Sequence, residues 1–350
     1  MRFHFKNARI LAATFFSALI FLQSPCATAL EKVGEFKIET ITLRPTWVSD
    51  EQTGADFVLS DSVAAFSWSK DKKLSVLAGV GSTLERNLPV YYTATNEDEL
   101  GFYEMYAQYQ GVYGKTRFGL IPLNFGYDGV IESSHRYFER ALPYKQRAFG
   151  LRDYGFSFYT ENKGYFTEII AHNGEVDTTS DGRLWTTARW GFDKGKDFRA
   201  QVSLQTGYVK DEVSLGNTEN VLGGVTNGET AKWRNGLIFL NWYPRRWNVV
   251  FQYGGGEFVQ GDREGQFSTQ TLTVTRLFNN QYGAGFRYDE FDPNSDLSND
   301  KITEYSLLLL AKSIDSTSTV YLAGTKVEEQ GTEVANDQLR LVWLLTPYVH

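Results

Sequence analysis

The chain has 350 residues, of which 42% are hydrophobic and 15% aromatic, with a single cysteine and a formal net charge of −7. This composition excludes a disordered protein, which would be less apolar, and a nucleic-acid-binding protein, which would have an excess of Lys and Arg. One cysteine also excludes a disulfide scaffold and a cysteine-based zinc site. Because the mean hydropathy is negative, at −0.35, the aromatic residues need a location other than a large dry core or a transmembrane helix.

The amino-terminal residues have the pattern of a secretory signal peptide, which we predict to span residues 1–29. Arg2, Lys6 and Arg9 precede an apolar run over residues 10–22, and small residues follow at the end of the segment. The apolar run is too short to span a bilayer comfortably, so a retained anchor is the less favoured alternative.

The only cysteine, Cys26, lies inside this segment and is expected to leave with it. Lipidation of Cys26 is the alternative, although the residues before it are a poor context for that modification. Residues 30–350 then form one exported domain that contains no further stretch with the length and apolarity of a transmembrane helix. A cysteine-free domain in an oxidising compartment is stabilised by something other than disulfides.

Alternation of apolar and polar residues dominates the exported part and predicts an all-β protein. Along residues 198–208, Phe, Ala, Val and Leu occupy positions of one parity, whereas Arg, Gln and Ser occupy the other. Such a segment is typical of a strand with one apolar and one polar face. We count sixteen segments of this kind, which begin near residues 36, 57, 74, 101, 113, 153, 165, 183, 198, 232, 247, 267, 281, 301, 317 and 337.

The connections between these segments predict a membrane barrel. Every connection from an even to an odd segment is short, as at residues 161–164 and 243–246, and we expect every odd-to-even connection to be longer. Strict alternation of tight turns and long loops is typical of a transmembrane barrel, whereas a soluble sandwich or propeller would show other patterns. We therefore predict a transmembrane antiparallel β-barrel of 16 strands, surrounded by outer-membrane lipid in a bacterial outer membrane.

The aromatic residues find a place in this architecture. Those near predicted strand ends are expected to form girdles at the two membrane interfaces, as Trp and Tyr do in membrane barrels. The clearest examples are Trp190, Tyr208, Trp242, Trp247, Tyr253 and Trp343.

The longest connection, from Pro122 to Arg152, departs from the acidic character of the other loops. Its cations outnumber its acids, and several aromatic residues lie among them. The aromatic residues predict that this third loop folds inward against the barrel wall and narrows the pore, where confined charges act strongly on solutes.

Basic side chains of this loop and of the polar strand faces are predicted to line the pore or its constriction. They are Arg136, Arg140, Lys145, Arg147 and Arg152 in or after the loop, and Lys115, Arg117, Arg189, Arg199, Arg287 and Arg340 on the strands. Rows of Arg and Lys favour anions. The lumen acids Glu104 and Asp289 reduce this preference, and some of the arginines are expected to pair with carboxylates across the barrel wall.

The segment Tyr137–Phe156, followed by Tyr165 to Asn173 and Gly174, resembles the phosphate-selective porin family of porins O and P. The shared features are an acidic-Arg segment in the third loop, an Arg-Asp-x-Gly strand start and an aromatic strand that closes in Asn-Gly. The resemblance implies a homotrimer of sixteen-stranded barrels that conduct anions such as phosphate, with Arg140 and Arg152 as the motif arginines.

We therefore predict a porin, not an enzyme, that allows passive diffusion of small hydrophilic, preferentially anionic solutes. No cofactor or nucleic-acid partner is expected. No metal is expected either, because His135, His172 and His350 are not spaced as metal ligands. Two alternatives stay open. One is an adhesive or structural barrel with a plugged lumen, and the other is an outer-membrane hydrolase in which His172 would be the candidate catalytic histidine.

Overall fold

Sixteen antiparallel strands form one closed sheet, which confirms the predicted fold class. The computed structural model describes residues 34–51, 54–60, 62–70, 73–81, 101–131, 135–146, 148–174, 184–195, 197–209, 230–295, 298–330 and 337–349. Outside these ranges lie the predicted signal peptide, the predicted pore residue Arg147 and most acidic residues of the long loops other than the third. Among the described residues, no helix is long and apolar enough to cross a membrane.

The strands follow one another in the order of the predicted segments. The two helices of the described residues are short and lie in the third loop. Their bounds are β1 (Glu35–Leu43 and Pro45–Asp50), β2 (Gly54–Leu59 and Val63–Lys70), β3 (Leu74–Gly81), β4 (Gly101–Gln110), β5 (Lys115–Pro122), α1 (Gly126–Val130), α2 (Leu142–Lys145), β6 (Arg152–Asn162), β7 (Tyr165–His172), β8 (Trp185–Asp193), β9 (Phe198–Val209), β10 (Ala231–Trp242), β11 (Trp247–Gln260), β12 (Arg263–Leu277), β13 (Tyr282–Asp292), β14 (Ile302–Lys312), β15 (Ser318–Glu329) and β16 (Gln338–Val349).

The first strand closes the barrel against the last one. Ile41 lies opposite Tyr348, and Thr46 lies opposite Val342, so both segments of β1 pair with β16. The break in β1 falls at Arg44, immediately before a proline that has no N–H to offer the ladder. Because each strand pairs with a neighbour on both sides, the backbone groups of the sheet are satisfied within the sheet.

The connections confirm one half of the predicted alternation and correct the other. Short even-to-odd turns are present, such as the one through Lys163 and Gly164, whose positive φ angles of 53° and 86° fit a two-residue hairpin turn. The expectation that every odd-to-even connection is long is wrong for β1–β2 and β11–β12. Strands β11 and β12 have 14 and 15 residues and extend beyond the apolar, lipid-facing part of the barrel. They meet at a two-residue turn, so no long loop joins them.

The outer face of the barrel is apolar, and the inner face carries buried polar residues together with the apolar residues that contact the third loop. On β14, Leu307 is 66% exposed on the outer face, whereas its neighbours Glu304 and Ser306 are buried inside. All the residues predicted for the aromatic girdles are exposed large side chains. Trp242 and Trp247 flank one tight turn, which marks the membrane boundary at the turn end of the barrel.

Replacing Leu307 by arginine tests this assignment of the lipid face. Leu307→Arg places a charge in the middle of the apolar belt and should lower the free energy of unfolding by about 2–4 kcal/mol. Thr303→Arg is the control, because Thr303 lies near the loop end of the same strand between Glu290 and Glu328, where the cost should be at most about 1 kcal/mol. Denaturant titration in phospholipid vesicles measures both changes, and equal losses would contradict the assignment.

Candidate functional site

The third loop, residues 123–151, folds into the barrel as predicted. Phe125, Tyr144 and Phe149 are fully buried and pack on one another, with 4.9 Å between the ring centroids of Phe125 and Phe149. Phe149 also lies 5.9 Å from Phe267 on β12. The aromatic residues of the loop therefore form a core with the inner wall.

Hydrogen bonds fix the loop to several sides of the barrel. Gln201 of β9 donates to the Asn124 carbonyl at 2.8 Å, and Gln252 of β11 accepts from the Tyr127 amide at 2.9 Å. On the opposite side, Arg44 at the break in β1 donates to the Arg136 carbonyl at 2.7 Å. The loop therefore crosses the lumen rather than following one wall.

Tyr144 provides a buried polar anchor within the loop. Its hydroxyl donates to the Phe125 carbonyl at 2.6 Å. Burial raises the pKa of the Tyr144 phenol well above its usual value. The phenol therefore stays a neutral hydrogen-bond donor at any physiological pH.

Ion pairs join the loop to strands β13, β14 and β16. Lys145 lies 2.8 Å from Glu304 and 2.9 Å from Glu139, and Arg340 also pairs with Glu139. Arg287 contacts Asp289 at 2.5 Å and the loop residue Asp128 at 3.6 Å. These predicted pore cations thus hold the loop in place.

A second group of cations faces the turn-side half of the lumen. Arg189 lies directly opposite Glu168 in the strand register, with 2.5 Å between Nε and Oε2. Arg117 is 3.7 Å from the same carboxylate, and Arg199 is 3.6 Å from Asp193. Lys115 has no carboxylate partner among the described residues. We call these four cations the basic cluster (Lys115, Arg117, Arg189 and Arg199), and their ion-pair partners among the described residues are Glu168 and Asp193.

Aromatic rings support the basic cluster. The Arg117 guanidinium lies 5.4 Å from the centre of the Tyr106 ring, and the Arg199 guanidinium lies 5.6 Å from that of Phe166. Contacts of this kind orient the planar guanidinium without neutralising its charge. The cluster is therefore held in shape by rings that do not neutralise the guanidinium charges.

Solvent access divides the predicted pore residues into two sets. Arg117 is 17% exposed and Arg199 is 25% exposed, so both can meet a solute in the lumen. The other partly exposed members are Lys115, Lys145, Arg152 and Arg340. The buried members are Arg136, Arg140, Arg189 and Arg287.

Arg152 forms its own contact on the loop side of the lumen. Its Nε lies 3.0 Å from Glu104, and its guanidinium stacks at 4.6 Å over the Tyr103 ring. Glu104, the lumen acid predicted to reduce the preference for anions, is therefore the direct ion-pair partner of Arg152.

Several charged residues of the lumen were not identified from the sequence. Glu168 and Glu304 lie on the inward faces of β7 and β14. The sequence offers a signal for Glu168 and Glu304, since each is an acidic residue at a polar position of an alternating segment. Their arginine and lysine partners, however, depend on strand register and on the path of the loop. Arg44 carried a weaker signal, an Arg-Pro pair that interrupts a strand pattern.

His172 takes part in a chain of side chains like that of a hydrolase. Its Nδ1 lies 2.6 Å from Asp153, and its Nε2 lies 2.9 Å from the Thr187 hydroxyl. Asp153 and Thr187 are fully buried, so a substrate cannot reach the hydroxyl. The contacts of His172 with Asp153 and Thr187 join β6, β7 and β8 and stabilise the packing of these strands. Within the described ranges, no group of three His, Cys, Asp or Glu side chains could hold a metal ion.

Comparison with known proteins supports the fold. No family model matches the chain, and no curated protein matches its sequence. The outer membrane channel DcaP of Acinetobacter baumannii aligns with a TM-score of 0.66 at 9% identity, over 90% of this chain and 98% of that chain. OmpT, an outer membrane protein of Vibrio cholerae in its trimer form, aligns at 0.64 and 13% identity over 90% and 99%. An anion-selective porin from Comamonas acidovorans aligns at 0.61 and 12% identity over 89% and 100%.

At these identities the likeness shows the fold, which is that of outer-membrane porins and channels. The predicted location in a bacterial outer membrane is confirmed to that extent. The finer resemblance to phosphate-selective porins stays a prediction.

Arg189→Met tests the balance of buried charge in the basic cluster. The substitution leaves the buried Glu168 with Arg117 at 3.7 Å as its nearest cation, and should lower the free energy of unfolding by about 3–5 kcal/mol. Arg234→Met is the matched control, because it breaks an exposed pair with Glu257 and should cost at most about 1 kcal/mol. Denaturant titration measures both, and adding Glu168→Gln to Arg189→Met should recover stability. Equal costs for the two methionine variants would show that Glu168 does not need its partner.

Proposed function

We propose that this chain is an outer-membrane porin that forms a water-filled channel for passive diffusion of small hydrophilic solutes, with a preference for anions. The observation that carries the proposal is the basic cluster, whose cations on β5, β8 and β9 share the carboxylates of Glu168 and Asp193. Phosphate-like anions are the solutes that the resemblance to porins O and P adds.

The physical basis is a group of positive charges in a confined space. Low-dielectric walls focus the field of charges in a narrow lumen, so an anion is attracted and a cation is repelled. Arg117 and Arg199 are partly exposed, so they can contact the solute directly. The anion-selective porin of Comamonas acidovorans has the same fold, which supports this choice of solute.

The partial exposure of Arg117 and Arg199 inside the barrel favours a channel over a plugged barrel. The buried state of Thr187 argues against the hydrolase alternative.

Planar-bilayer recording tests the channel itself. The purified protein should produce discrete ion-conducting steps, and the reversal potential in a salt gradient should have the sign of anion preference. An absence of steps would refute the porin and favour the structural barrel.

Charge reversal in the basic cluster tests the anion preference. The double variant Arg117→Glu with Arg199→Glu should move the reversal potential towards cation preference, because both side chains are partly exposed in the lumen. The matched control is Lys163→Glu with Lys194→Glu, which changes the net charge equally at exposed turn positions. An unmoved potential in the first variant, or an equal shift in the control, would overturn the preference.

We also propose a homotrimer, as the resemblance implies. The supporting surface is the outer face of β2 to β4, where the small side chains Ala64, Ala78 and Ala107 provide a smooth apolar area. The trimer form of OmpT from Vibrio cholerae has the same fold.

Arginines on this surface should dissociate the trimer. Ala78→Arg with Ala107→Arg is expected to convert the oligomer to monomers, because it places charges in an apolar contact. Ala284→Arg on β13 adds a charge to another part of the outer face and serves as the control. Crosslinking and the mobility of unheated samples on gels report the oligomeric state, and a monomeric wild-type protein would refute the trimer.

A further inference from the structure

A slot of about 750 Å³ lies on the outer wall of the barrel, across strands β9 to β12. Four residues follow one another across the strand register at its level: Leu204, Gly236, Gly255 and Ser268. The two glycines form the floor, and the exposed side chains of Leu204, Ile238 and Tyr253 form the walls. The slot is therefore a depression in an otherwise continuous surface of large side chains.

The slot is open because Gly236 has no side chain. A Cβ at Gly236 would meet only the Leu204 Cδ2, at 3.4 Å, and has free space elsewhere. A Cβ at Gly255 would instead collide with the backbone of β12. Gly236 is thus the position at which the slot can be filled without disturbing the sheet.

Cations lie directly above the slot, on the side of the loops. Arg234 is 54% exposed and pairs with Glu257 at 2.6 Å. Lys232, the next outward residue of β10, has no ion pair with any described residue. An exposed ion pair contributes little to stability, so Arg234 can exchange Glu257 for another anion at little cost.

The position of the slot along the barrel corresponds to a membrane interface. Below it, towards the turn end, the outward residues of β10 are apolar up to Trp242 at the other boundary. Above it they are Arg234 and Lys232. Lipid headgroups meet a barrel where apolar residues give way to polar ones.

We propose that this slot binds a phosphorylated, acylated lipid of the leaflet on the loop side. An acyl chain lies on the glycine floor between Leu204 and Tyr253, and a lipid phosphate accepts hydrogen bonds from Lys232 and Arg234. The apolar depression accepts the acyl chain, and the cations at its rim accept the phosphate. The proposal depends on the membrane fold and not on channel activity.

A second outer groove shows why the charge at the rim matters. Gly324 opens a groove of about 590 Å³ below Lys326. Lys326 pairs with Glu328 at 2.6 Å, and no further cation follows on the described outer face of β15. This groove resembles the slot in its apolar surface, but its cation is already paired. Lys326 therefore belongs to the control for the charge variants.

Native mass spectrometry of the protein in detergent tests the proposal, with diphosphoryl lipid A and a dephosphorylated lipid A of the same acylation as probes. The wild type should bind the phosphorylated lipid at least tenfold more tightly than the dephosphorylated one. Gly236→Leu should weaken binding of both lipids at least tenfold, whereas Ala284→Leu, which adds the same side chain on β13, should not. Lys232→Glu with Arg234→Glu should abolish the difference between the two lipids, whereas Lys301→Glu with Lys326→Glu should preserve it.

Equal binding of the two lipids by the wild type, or loss of the difference in the control charge variant, would overturn the proposal. A change of oligomeric state in Gly236→Leu without loss of lipid would assign the slot to a contact between copies of the chain, and would also overturn it. If Gly236→Leu does not fold, the charge variants decide alone, because they leave the glycine floor intact. Channel recordings of the same variants should be unchanged, which separates this result from the test of the porin function.

Discussion

A sheet that spans a bilayer must satisfy its own backbone amides and carbonyls, because hydrocarbon offers no hydrogen-bond partner. Pairing of β1 with β16 meets this requirement by closing the sheet. Closure gives every strand one face towards lipid and one towards the lumen, so the polar residues of the chain are collected inside. The inward path of the third loop and the distribution of charge both depend on this enclosure.

Enclosure also sets different roles for side chains of the same type. Arg287 and Lys145 use their charge to hold the third loop, through Asp128, Glu139 and Glu304. Arg117 and Arg199 keep partial contact with solvent. A buried cation must be paired to offset its desolvation, whereas a partly hydrated one can remain in excess over its carboxylates. This difference leaves Arg117 and Arg199 accessible to a solute.

Much of this architecture could be predicted from residue patterns, because lipid contact imposes a strict period of two on every strand. The aromatic residues of the longest loop correctly indicated that it packs inside. The lengths of the β1–β2 and β11–β12 connections could not be predicted, since a hairpin that continues beyond the membrane keeps the same alternation as one within it. Pairings such as Arg189 with Glu168 also escaped prediction, because they depend on register.

The sequence by itself therefore determined the number of strands, the face of each residue and the presence of cations inside. Only the tertiary structure decided which cations are neutralised. Closure and the path of the third loop bring together residues far apart in the chain, such as Arg44 with Arg136 and Lys145 with Glu304. Burial depends on these contacts, and burial decides whether a charge stabilises the fold or stays available to a solute.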